Sequence, residues 1–127
     1  MSSLVPRSYK SFNKTIKVHL DPLMDKKSRE QQKEWNTGIF MRHTDEIELQ
    51  PPTRKFAMTK EEFEVTFFHE FTHQLFYAAG RNDLCDDEAL VTVIGTLLLQ
   101  YLTSKKGSFT NLHYYTDYEP YYKEEGI

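Results

Sequence analysis

Cysteine is almost absent from this chain. A single thiol, Cys85, in 127 residues excludes an intrachain disulfide and fits a reducing compartment. Long apolar runs are missing too. A membrane span needs about 20 such residues, and the longest stretch, Ala89 to Leu99, is interrupted by Thr92, Gly95 and Thr96. The amino-terminal stretch lacks the apolar core of a signal peptide, so a cytoplasmic location is expected, with no membrane partner. Neither sign of charge dominates. The net charge is -3, and the basic pairs Lys26-Lys27, Arg54-Lys55 and Lys105-Lys106 are too short to track a phosphate backbone, which argues against nucleic acid. Repeats and low-complexity linkers are also lacking, so residues 1–127 read as a single domain. Leu4-Val5-Pro6-Arg7 matches the thrombin site of expression tags, and residues 1–8 are set aside from the fold reasoning on that ground.

Aromatic residues are plentiful. Nine Phe and eight Tyr supply enough bulk for one core. Thr15 to Leu20 alternates apolar and polar residues and predicts a strand ended by Asp21-Pro22. Residues 23–36 are polar, anchored by Leu23, Met24 and Trp35, and read as a loop or short surface helix. Gly38 to Arg42 and Glu46 to Leu49 predict two further strands joined at His43-Thr44-Asp45 as a hairpin, before Pro51-Pro52 stops the ladder.

The period then changes. Thr59-Lys60-Glu61-Glu62 has the form of a capping box, and apolar residues at 63, 67, 68, 71, 75 and 76 mark one helix face ending near Gly80. Asp86, Asp87 and Glu88 suit the start of a second helix running through Leu102. That helix is apolar on most sides and is expected to be buried. The tail, 108–127, holds five of the tyrosines and has no readable period. The expected class is α+β, with a small sheet of two or three strands packed on the two helices.

The chemistry lies in His69-Glu70-Phe71-Thr72-His73. Residues four apart share a helix face, so both imidazoles can reach one metal ion, and zinc suits paired imidazole nitrogens. Glu70, displaced around the helix, can act as general base toward a water polarised by the metal without ligating it. A catalytic zinc needs a third protein ligand and an open position. Glu88 leads, Asp87 follows, then Asp83 or Asp86, with His113 in the tail; capping also accounts for aspartates at a helix start. His19 and His43 read as surface residues.

The motif, a short loop, and then Asp87-Glu88-Ala89-Leu90-Val91 resemble the ImmA/IrrE-type metallopeptidases of phages and mobile elements, a gluzincin-like group. Glu46 to Leu49 is similar to the edge strand those proteins place before the active helix. The resemblance covers roughly residues 38–103. Thr72 stands where members often have a small residue, and the Ala-Asn pair that often follows their third ligand is absent. The resemblance implies a minimal zincin-like domain with Zn2+ on His69, His73 and Glu88, Glu70 as base, and a protein or peptide substrate, repressor proteins being known targets. A donor for the oxyanion is expected from His113, Tyr114, Tyr115 or Tyr118. The alternative function is a zinc-stabilised interaction module without proteolysis, using the tyrosine-rich tail as its contact surface.

Overall fold

A computed structural model describes residues 3–31 and 37–104. Trp35, His113 and the tail tyrosines lie outside the described residues. The architecture is α+β: a four-stranded sheet of order β1-β2-β4-β3 with helices. Strands β1 (Ser8–Ser11) and β2 (Lys14–Leu20) form an antiparallel hairpin, with Ser8 opposite Lys17. The chain then makes a short helix α1 (Met24–Glu30). Strands β3 (Gly38–Met41) and β4 (Glu46–Leu49) form the expected hairpin, Met41 opposite Glu46, and Asp45 takes a left-handed φ of 55° in its turn. Strand β4 also pairs with β2 in parallel, Val18 opposite Ile47.

Alternation explains the sheet's polarity. Ile16, Val18, Ile47 and Leu49 are buried on one face, while Lys17 and His19 point outward. Onto the apolar face packs α2 (Lys60–Ala78) through Phe63, Phe67 and Phe68. Both bonds of its capping box form: Glu62 N–H donates to Thr59 Oγ1 at 3.0 Å, and Thr59 N–H donates to Glu62 Oε1 at 3.3 Å. At the other end Gly80 has φ +75°, with Gly80 N–H bonded to Tyr77 O and Arg81 N–H to Phe76 O, the paired bonds of a Schellman stop. A four-residue helix α3 (Asn82–Cys85) follows, then α4 (Glu88–Ser104).

The structure corrects the sequence reading in three places. The sheet has four strands, because β1 joins it. Residues 1–8 had been set aside, yet Val5 is completely buried, and β1 offers only Tyr9 as an apolar signal. Tyr9 packs on Phe67 and Phe71 with ring centroids 6.0 and 5.0 Å away, and its hydroxyl donates to Gln74 Oε1 at 2.9 Å. Second, β4 is not an edge strand. It lies between β2 and β3, and β3 takes the edge. Third, α4 is buried along one face only, at Val91, Gly95 and Leu99. Val93, Leu97 and Tyr101 are 54%, 56% and 61% exposed. An uninterrupted apolar composition does not say how many sides have a neighbour, and here α4 packs on α2 and α3.

Two glycines set the spacing that the site requires. A Cβ on Gly95 would lie 3.0 Å from both His69 N and Phe68 O, so α2 and α4 cross in near contact beside the first motif histidine. A Cβ on Gly38 would meet Thr66 Cγ2 at 2.8 Å and Glu70 Cγ at 3.2 Å. Strand β3 thus lies directly against the helix that carries the motif.

Candidate metal centre

His69 and His73 project from one face of α2, and Glu88 is the first residue of α4. The crossing at Gly95 lies about two turns beyond Glu88 and brings the carboxylate over the two rings. His69 Nε2 is 3.0 Å from Glu88 Oε2, His73 Nε2 is 3.0 Å from Glu88 Oε1, and the two Nε2 atoms are 3.2 Å apart. Among the described residues these three form a group that could hold a metal ion.

The rivals for the third position are engaged elsewhere. Asp87 Oδ1 accepts from Leu90 N–H at 3.1 Å, capping α4. Asp83 is held by Arg81 through two contacts of 3.0 and 2.8 Å, and Asp86 pairs with Arg42. Thr72 is buried with its hydroxyl bonded to Phe68 O at 2.7 Å. His19 pairs with Glu46 on the exposed side of the sheet, and His43 is exposed in its turn.

The imidazole tautomer tests whether a cation fits. His73 Nδ1–H donates to the Cys85 carbonyl at 2.6 Å, so the neutral ring presents a bare lone pair at Nε2. That lone pair faces a carboxylate oxygen at 3.0 Å, an acceptor facing an acceptor. A cation shared by the three groups relieves this conflict with both rings neutral. The His69 ring is pushed below the ordinary histidine value, by burial first and then by His73, although Glu88 opposes this. Tetrahedral zinc, with bonds near 2.0–2.1 Å, spaces its ligand atoms about 3.3 Å apart, close to the 3.2 Å between the two Nε2 atoms, and one ligand atom from each residue lies within 4.8 Å of the others. With Glu88 binding through one oxygen, a fourth position would remain for water or substrate.

Glu70 is 8% exposed and faces the same space. Burial, with the charge of Glu88 second, pushes its carboxyl up to about 8, while a hydrogen bond from Phe40 N–H pulls the other way. These groups line a cavity of about 580 Å³, walled on one side by Gly38, Ile39, Phe40 and Arg42 and on the other by His69, His73, Cys85 and Asp86.

No family model, characterised protein or solved structure matches the chain.

The arrangement brings His69, Glu70, His73 and Glu88 into one site, and sequence reasoning had named all four. It had not found the surrounding partners. The Cys85 carbonyl fixes His73, Thr92 Oγ1 stands 3.5 Å from His69 Nδ1, and Phe40 N–H anchors Glu70. Main-chain donors and acceptors have no residue-type signature.

Proposed function

We propose that this protein is a zinc-dependent metallopeptidase of minimal zincin-like form. The observation that carries the reading is the convergence of two imidazole Nε2 atoms, 3.2 Å apart and each 3.0 Å from one oxygen of Glu88, beside a buried glutamate that shares their cavity. His69, His73 and Glu88 hold the metal. When bound, zinc supplies Lewis acidity toward a carbonyl and toward water.

The chain's own residues supply the remaining chemistry. A nearby cation lowers the Glu70 carboxyl from its raised value, favouring the ionised base. Its carboxylate then takes the proton of the attacking water and returns it to the departing amine. Phe40 N–H keeps that carboxylate oriented. Strand β3 has no partner on its outer side among the described residues, and Gly38, Ile39 and Phe40 border the cavity. An extended peptide added to this edge would run past Glu70, the usual way a sheet edge recognises a peptide backbone. The resemblance to ImmA/IrrE-type enzymes suggests cytoplasmic protein substrates of the repressor kind. No helix among the described residues is long and apolar enough to cross a membrane.

Elemental analysis tests the centre. One zinc per chain is expected in the wild type and in Glu70→Gln, with loss in His73→Ala and Glu88→Ala. Cleavage of a peptide library by wild type and not by Glu70→Gln would complete the case. A wild type that takes up no zinc on reconstitution would refute it. The exposed Val93, Leu97 and Tyr101 of α4 favour a second reading, a zinc-stabilised interaction module. On that reading zinc binds, no peptide is cut, and Glu70→Gln changes nothing.

A further inference from the structure

We propose that Arg42 is a positioning residue for the metal centre, clamping the turn that orients His73 and launches Glu88. The inference rests on the reading of this site as a metal centre and adds to it a residue that touches none of the metal ligands.

Arg42 follows β3, in the turn to β4. Its guanidinium reaches across to the α3–α4 turn, where Nη2 donates to Cys85 Sγ at 3.2 Å and pairs with the Asp86 carboxylate. It also lies 5.4 Å above the ring of Tyr77, one helical turn after His73. Phe40 stacks edge-on against the same ring at 5.7 Å. The guanidinium is therefore held from both α2 and the α3–α4 turn.

The clamped peptide has a specific task. Its carbonyl, Cys85 O, accepts from His73 Nδ1 at 2.6 Å, and two residues beyond Asp86 comes Glu88. Backbone bonds from Asp86 N–H to Asn82 O and from Asp87 N–H to Leu84 O wind this turn tightly. Movement of the Cys85–Asp86 peptide would consequently release the His73 ring and shift the start of α4 together. A hydrogen bond to the far nitrogen of a ligating imidazole fixes its tautomer and rotation, and losing such support commonly costs 10- to 100-fold in metal affinity.

Energetics separates this role from a general contribution to the fold. The Arg42 and Asp86 side chains are 39% and 64% exposed, and ion pairs that open to water add little to stability. A purely structural Arg42 should therefore matter little to anything. A positioning Arg42 should matter mainly to metal binding. Lysine keeps the charge and loses the planar fork that spans sulfur, carboxylate and ring together.

The test titrates metal-free wild type, Arg42→Met and Arg42→Lys with Zn2+ against a competing chelator. In the same metal-free proteins NMR follows the ring protons of His73 and His69. Arg42→Met is expected to weaken zinc binding about 10- to 100-fold and Arg42→Lys to weaken it less, with thermal midpoints close to wild type. The His73 Nδ1 proton should exchange faster in Arg42→Met, while the His69 ring is unchanged. Unaltered zinc affinity and an unaltered His73 signal in Arg42→Met would overturn the proposal. So would a collapse of the thermal midpoint with both rings disturbed equally, because that is a fold-holding role. A wild type that binds no zinc removes the metallopeptidase reading and this proposal with it; the His73 signal then reports only whether Arg42 orders the turn.

Discussion

Two glutamates on α2 share burial and differ in what surrounds them. Glu64, near the start of the helix, is 3% exposed, and Glu70, in its middle, is 8% exposed. Both carboxyls are pushed above the ordinary value, in each case by burial first. Glu64 Oε2 accepts from Leu4 N–H at 2.6 Å, which ties the amino-terminal segment to the helix. Glu70 accepts from Phe40 N–H as well, but it also borders the cavity with two histidines and Glu88. Glu64 borders a separate cavity beside Thr59, Lys60 and Gln100, whereas the space that Glu70 faces holds two histidines and a second glutamate. A raised carboxyl is thus a weak sign of chemistry by itself; the groups opposite it carry the information.

The comparison can be broken most sharply by activity. Glu70→Gln should lower peptide cleavage about 100- to 10,000-fold with zinc retained, whereas Glu64→Gln should leave cleavage and zinc content near wild type. Equal losses in single-turnover assays would erase the distinction. Next in size is the helix crossing. Gly95→Val places atoms against His69 N and Phe68 O and should cost about 1–3 kcal/mol by urea unfolding. It should also weaken zinc binding, because α4 carries Glu88. If the affinity is unchanged, the crossing does not set the Glu88 position. Glu64→Ala leaves the Leu4 amide without its acceptor and should destabilise by about 1–3 kcal/mol, with zinc affinity preserved.

The comparison also extends to pH dependence. In the metal-free chain Glu70 is raised from 4.5 to about 8, so the native state favours its protonated form. Its contribution is complete below 4.5 and is lost as the pH rises through about 8. His69, lowered by burial, contributes above its ordinary value and loses that contribution as the pH falls. Subtracting Glu70→Gln from wild type cancels His69 to first order. The thermal midpoint of metal-free wild type should therefore decline relative to Glu70→Gln between about pH 5 and pH 8. A flat difference would mean that Glu70 is better solvated than its burial implies.

Local features were legible in the sequence and long-range ones were not. The cap at Thr59, the stop at Gly80 and the shared face of His69 and His73 follow from spacing within one helix. Glu88 was accessible because a short loop limits where the second helix can begin, whereas Asp87 stood second as a ligand with capping as the other account of it, and the bond from Leu90 N–H decides for the cap. Strand order was not accessible. Nothing local distinguishes β3 from β4 as the edge, since the parallel pairing of β2 with β4 decides it. Strand β1 has only Tyr9 to announce it, and its support comes from Phe67, Phe71 and Gln74 more than fifty residues away. Arg42 had no motif around it, because its role exists only after two turns meet.

The bond between Leu4 and Glu64 spans 60 positions, and that between Gln74 and Ser11 spans 63. During synthesis the β1–β2 hairpin is made long before its helical partner, and closing so long a loop is entropically slow. The helix that carries His69 and His73 therefore acts as a late keystone. Until it docks, the apolar face of the sheet has no cover and the amino-terminal segment has nowhere to anchor. A nascent chain arrested before α2 is complete should accordingly be as sensitive to protease as an unfolded one, and protection should arise in one step as the motif helix seats.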